Sequence, residues 1–131
     1  MNSITVQTEA RTHFIDITDA ARQFAREKNL DNGLITVFVP HTTAGITINE
    51  NADPDVTADM DTVLDNLVPW SNAYRHMEGN TAAHVKASLM GSSAQVLVEN
   101  GLLCLGTWQS IYFCEFDGPR TRQVWLKESR P

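Results

Sequence analysis

Strand patterning crowds the two ends of this chain, and helical patterning gathers near its middle. That uneven distribution limits the folds open to it. In residues 3–8, Ile4, Val6 and Thr8 alternate, and 13–17 (HFIDI) reads as a second strand. Residues 34–39 (LITVFV) and 45–50 (GITINE) follow. Three more strands close the chain, at 94–99 (AQVLVE), about 109–116 (QSIYFCEF) and 122–127 (RQVWLK). Thr18 is placed to cap a helix over about 19–28, with Ala21, Phe24 and Ala25 on one face. Asp53-Pro54 opens a second helix whose stripe of Val56, Met60, Val63, Leu64 and Leu67 ends before Pro69. Asn80 is placed to cap a third, short helix that stops near Gly91. Asn32-Gly33 reads as a turn, and 70–79 (WSNAYRHMEG) as a loop. This is not the strand–helix alternation of a parallel sheet. It predicts an α+β fold of about seven strands and three helices, built on a mostly antiparallel sheet or sandwich.

At 131 residues with no linker or repeat, the chain reads as one domain, 1–131. An eight-fold β/α barrel, which takes about 250 residues, is excluded. Ten Lys+Arg stand against sixteen Asp+Glu, the wrong balance for a polyanion binder, so no nucleic-acid partner is expected. No apolar run approaches the ~20 residues of a membrane span, and MNSITVQTEA lacks the basic and apolar regions of a signal peptide. Cys104 and Cys114 have no metal or redox spacing and lie in apolar stretches, so both are expected as reduced core residues of a cytoplasmic protein.

The charge is unevenly spread. No Lys or Arg lies between His41 and Tyr74, a stretch holding Glu50, Asp53, Asp55, Asp59, Asp61 and Asp65. Arg120, Arg122, Lys127 and Arg130 crowd the last twelve residues. Either this is a solvated helix face plus a basic tail, or an acidic region for a divalent cation folds near basic groups that hold an anion.

Several polar groups fall on apolar faces. Glu50 shares a strand face with Ile46 and Ile48, and Glu115 shares one with Ile111 and Phe113. A carboxylate there must be paired, protonated or bound to a metal, unless it escapes to water at a strand end. Arg120 is the nearby partner expected for Glu115. Because both faces of 109–116 are apolar-rich, that strand is expected to be central. His41 follows an apolar strand directly, His76 lies in the polar loop two residues before Glu78, and His84 lies on the short helix. Together they could hold zinc or a similar ion, although none has a recognised local spacing. The pair His76-x-Glu78 has the spacing of zinc deaminases, but their Pro-Cys-x-x-Cys is missing. His13, inside an N-terminal strand, reads as structural. The helix start at Asn80 suits an anion, and the acidic start at Asp53 suits a cation. Plain capping accounts for both.

The residues also match a known pattern. Ser93-Ala94-Gln95-Val96-Leu97-Val98-Glu99-Asn100-Gly101, four residues, then Gly106-Thr107-Trp108-Gln109-Ser110-Ile111 resembles the YjbQ-type family, the secondary thiamine-phosphate synthases. Pro40-His41-Thr42-Thr43-Ala44-Gly45, Asn49-Glu50-Asn51, Asp53-Pro54-Asp55, Glu78-Gly79-Asn80, His84-Val85-Lys86 and Phe116-Asp117-Gly118-Pro119-Arg120 resemble it too. The likeness runs over nearly the whole chain. It implies a seven-strand, two-sheet Greek-key β-sandwich with two to three helices, assembled as a homotrimer. It implies that His41, Glu50, His76, His84 and Arg120 share one site near a subunit boundary. The implied reaction joins an aminopyrimidine methyl diphosphate to a thiazole phosphate and releases pyrophosphate. On that reading Glu50, Arg120 and Glu115 are catalytic, and His41, His76 and His84 hold a divalent metal, magnesium or zinc. Thr43, Asn49, Asp53, Asn80, Lys86 and Gln109 bind the small phosphorylated substrate. The alternatives are a non-catalytic module for a metal or phosphorylated metabolite, and a metal-dependent phosphate-ester hydrolase.

Overall fold

A computed structural model describes residues 2–131. In chain order the elements are β1 (Asn2–Gln7), β2 (His13–Asp16), α1 (Thr18–Glu27), β3 (Gly33–Phe38), β4 (Ala44–Glu50), α2 (Pro54–Leu67) and α3 (Thr81–Met90). β5 (Ser93–Glu99), β6 (Leu102–Leu103), β7 (Gln109–Glu115) and β8 (Thr121–Ser129) complete the chain. The α+β reading holds, with one strand more than expected. β6 is two residues long, too short to carry a periodic signal.

The strands form two antiparallel sheets, ordered β1-β8-β3-β5-β6 and β2-β7-β4. The inner face of the large sheet (Ile35, Val37, Val96, Val98, Val124, Leu126) meets Ile46, Ile111 and Phe113 of the small sheet, with Ala21, Phe24 and Ala25 of α1 beside them. On its other face the small sheet carries Tyr112, Cys114 and Phe116, covered by Leu64 of α2 and by Ala83 and Ala87 of α3. β7 is therefore central, as its doubly apolar sequence predicts, and every residue from Ser110 to Glu115 is buried. Burying Phe113 completely contributes about 1.5–3 kcal/mol.

Local chemistry explains the boundaries. Asp53 caps α2, its side chain accepting from the Asp55 N–H at 2.9 Å, and Pro54 begins the helix. Thr18 is not the cap expected of it. It is the first helical residue, and its N–H and hydroxyl both donate to the Asp16 carboxylate. The same hydroxyl accepts from the Ile111 N–H at 2.9 Å, tying α1 to β7. At Gly33 a Cβ would stand 2.1 Å from the Ser129 carbonyl oxygen, so the turn into β3 admits no side chain.

The cysteines divide. Cys114 is in the core, and burial pushes its thiol up to about 12. Cys104 is exposed, contrary to expectation, because it follows the short β6 at the edge of the large sheet.

Candidate functional site

The site grows from the point where β3 leaves the large sheet. The last pair of the β3–β8 ladder is Phe38 with Trp125. Beyond it the chain turns at Pro40, and the His41 ring takes over where the backbone stops pairing. Its Nε2 accepts from the Gln123 N–H at 2.9 Å. A neutral ring held this way carries its proton on Nδ1. Burial, and then the charge of Arg122, hold the His41 pKa below its ordinary value.

Beneath His41 lies a sealed ion pair. Glu115 is fully buried and Arg122 is 3 % exposed. Arg122 Nε donates to Glu115 Oε1 at 2.8 Å, and Nη2 donates to Oε2. Thr8 Oγ1 donates to Oε1 at 2.8 Å, and the Phe116 and Asp117 N–H groups donate to Oε2 at 3.1 and 3.0 Å. Burial pushes the Glu115 carboxyl up, but Arg122, the Asp117 N–H and the Thr8 hydroxyl outweigh it and hold it below the usual carboxylate range. Glu115 thus pairs with Arg122, not with Arg120 as expected, and its oxygens are committed inside the protein. Arg122 Nη2 also donates to Thr43 Oγ1 at 2.7 Å, which leaves the Thr43 hydroxyl hydrogen free to donate elsewhere.

Facing this pair is the start of α3. Asn80 does not cap the helix with its side chain as expected. Its Nδ2 donates instead to Asp117 Oδ2 at 2.9 Å. Arg120 reaches the same residue, Nη2 to Oδ2 and Nε to the carbonyl oxygen, both at 3.0 Å. Arg120 Nη1 has no hydrogen bond among the described residues. Asn80 Oδ1 and Thr81 Oγ1 are buried without partners. The His84 ring meets that of His76 edge-on, with centroids 5.5 Å apart, and His76 Nε2 lies 3.8 Å from Glu78 Oε2.

These groups line one open cavity of about 790 Å³. His41, Thr43, His76, Asn80, His84 and Arg120 all border it, so six of the residues singled out in the sequence converge. Asp117, Arg122 and Ser92 border it as well and were missed. A signal for Arg122 existed: it is in phase with Val124 and Leu126 on the buried face of β8.

The other candidates lie elsewhere in this chain. Glu50 pairs with Gln109 at the opposite end of the β4–β7 ladder from Ala44, six residues and roughly 20 Å from the cavity end. It is half-buried there, at the strand end, and not inside the core. Asn49 turns its Oδ1 to the Glu50 N–H at 2.7 Å, and Gln109 Oε1 accepts from the Gly106 N–H at 2.8 Å. Asp53 is occupied as a cap. Lys86 does not face the cavity; it is 2 % exposed and salt-bridged to Asp65 of α2. Beside it, burial and the charge of Asp65 push the Asp61 carboxyl up.

The expected metal fits this arrangement poorly. Among the described residues no three His, Cys, Asp or Glu side chains are placed to share an ion, and His41 Nε2 already serves Gln123. What the site offers chemically is a guanidinium with a free nitrogen, a helix start, a hydroxyl donor and two adjacent imidazoles: groups that hold an anion and move a proton. No helix among the described residues is long and apolar enough to cross a membrane.

Comparison with known proteins agrees with the fold. A family model described as UPF0047 protein YjbQ-like matches residues 2–130. UPF0047 protein YugU of Bacillus subtilis is 54% identical over 128 residues, covering 97% of each chain. UPF0047 protein MJ1081 of Methanocaldococcus jannaschii is 45% identical over 122 residues, 93% of this chain and 88% of that one. A crystal structure of a YjbQ/UPF0047 family protein from Clostridium acetobutylicum superposes with a TM-score of 0.97 at 53% identity, covering 98% of this chain and all of that one. With the match spanning both sheets and all three helices, the chain belongs to the YjbQ-like UPF0047 family.

Proposed function

We propose that this is a cytoplasmic phosphate-handling enzyme of the thiamine-phosphate synthase type, with the His41–His84–Arg120 cavity as its active site. The supporting observation is one cavity that gathers Arg120, the α3 start and three histidines from four separate segments. Arg120 Nη1, the first N–H groups of α3 and the Thr43 hydroxyl hold the oxygens of a diphosphate. Magnesium or zinc, if the reaction uses one, would come bound to the diphosphate and would supply charge neutralisation to its oxygens. The carbon–oxygen bond between the pyrimidine methylene group and the diphosphate breaks, its electron pair staying on oxygen. The thiazole nitrogen forms the new carbon–nitrogen bond at that carbon, and pyrophosphate departs. His84, beside His76, delivers a proton to the departing oxygen.

In this reading the protein works as a homotrimer, in which the exposed Val63, Leu67 and Leu89 are candidates for burial between subunits. A neighbouring protomer is then the route by which Glu50 reaches a site. Light scattering tests the trimer directly.

The reaction is tested by incubating the protein with the two precursors and magnesium, following both thiamine phosphate and pyrophosphate. Formation of the two in equal amounts, lost in His84→Ala, is the expected result. Diphosphate binding without any product would make the protein a binding module. Phosphate release from simple esters would make it a hydrolase.

A further inference from the structure

A second cavity of about 470 Å³ adjoins the first, and His41, Thr42, His84 and Ser92 border both. Its remaining wall is Ala44, Ala87, Ser88 and Gly91. The two chambers differ in character. The first has Arg120, Arg122, Glu78 and Asp117 on its walls. The second has no Lys, Arg, Asp or Glu at all, only small apolar residues, hydroxyls and the two shared imidazoles.

The second chamber is also rigidly built. Its floor is the exit of α3, where the Gly91 N–H donates to the Ala87 carbonyl at 2.9 Å. The Gly91 carbonyl accepts from the Ile46 N–H at 3.0 Å, and the Ser92 carbonyl accepts from the Val39 N–H at 2.7 Å. Gly45 lets β4 lie directly against this exit, since a Cβ there would stand 2.8 Å from the Gly91 oxygen. At Gly91 itself, φ is +91° and a Cβ would meet nothing within 4 Å. Small residues around a pinned backbone leave a preformed slot.

We infer that the site is two-chambered: the charged chamber takes the phosphate end of one substrate, and the neutral chamber takes the flat, uncharged ring of that same molecule. The inference rests on the anion-binding reading above and adds to it the other half of the substrate. A molecule laid across both chambers passes the carbon–oxygen bond between its ring-bearing carbon chain and the diphosphate between His41 and His84, where a proton is needed by the departing oxygen as that bond breaks. Ser88 becomes a specificity-determining position, because it borders the neutral chamber and not the charged one.

The test uses inorganic diphosphate and phenethyl diphosphate, titrated calorimetrically into the full-length protein and its Ser88→Phe and Ser88→Ala variants. Ser88 is exposed on α3, so both variants are expected to fold, and circular dichroism checks this. The ring should improve affinity over diphosphate by about tenfold or more in the wild-type protein. Ser88→Phe should erase that advantage and leave diphosphate binding unchanged, whereas Ser88→Ala should keep it. Equal affinity for the two probes in the wild-type protein, or an advantage that survives Ser88→Phe, overturns the inference while the anion site stands. Failure of the wild-type protein to bind diphosphate overturns the anion site, and the second chamber's role falls with it.

Discussion

The two ends of the β4–β7 ladder carry similar residues and put them to different use. At one end, Glu115, Arg122 and Thr43 form a buried network against which His41, Arg120 and the α3 start are arranged around a cavity. At the other, Asn49, Glu50, Asp53 and Gln109 stand near the surface. Three of them are occupied with backbone N–H groups one to three residues away. The difference teaches that a polar residue on a strand becomes part of a site when the strands beyond it converge. At the Ala44 end, β8 and the loop after β7 close over the ladder. At the Glu50 end nothing comparable does among the described residues.

The comparison breaks first if the buried network proves dispensable. Glu115→Ala strands Arg122 without its partner and should destabilise the fold by about 3–5 kcal/mol in a denaturant titration. Next is Arg120→Ala. Its pair with Asp117 is half exposed, so stability should move by no more than about 1 kcal/mol, but diphosphate affinity should fall by roughly ten- to a hundredfold. A smaller effect is expected at the opposite end, where Asp53→Ala should cost about 1 kcal/mol through the lost cap and leave diphosphate binding intact. Gln109→Ala should stay within about 0.5 kcal/mol and also leave binding intact. Loss of binding in Asp53→Ala or Gln109→Ala in the protein's assembled state would show that the far end contributes to a site after all.

A pH titration of stability sharpens the same contrast. His41 has a folded pKa below its ordinary 6.5, so its contribution is full above that value and is lost as pH falls from there toward the folded pKa. Glu115, also depressed, contributes fully above its ordinary 4.5 and loses that contribution at lower pH. His41→Phe should therefore flatten the upper part of the stability profile and leave the lower part unchanged. A profile identical to the wild type between the two would show that His41 is not held neutral by its surroundings.

Most of the fold was legible because its signals are local. Alternating or β-branched apolar runs marked seven of the eight strands, Asp53-Pro54 marked α2, and the two apolar faces of 109–116 marked the middle strand. The cavity was legible in its histidines and Arg120 through motif resemblance, and less so in its supports. Arg122 sits in phase with Val124 and Leu126, but only the register of β8 between β1 and β3 shows that it reaches Glu115. The pairing of Lys86 was not legible because its neighbours in sequence say nothing of Asp65, which meets it from another helix. Periodicity leaves Glu50 between the core and the water at the strand end, because it does not know where a strand runs out of cover.

One consequence follows from the position of β8. It follows the other seven strands in chain order, yet it inserts between β1 and β3. The larger sheet therefore cannot close until Thr121–Ser129 have left the ribosome. Until then, the edges that β1 and β3 offer to β8 wait unpaired and open to mispairing. A stop codon just upstream of Thr121 would leave a chain that aggregates, not one that is merely shorter.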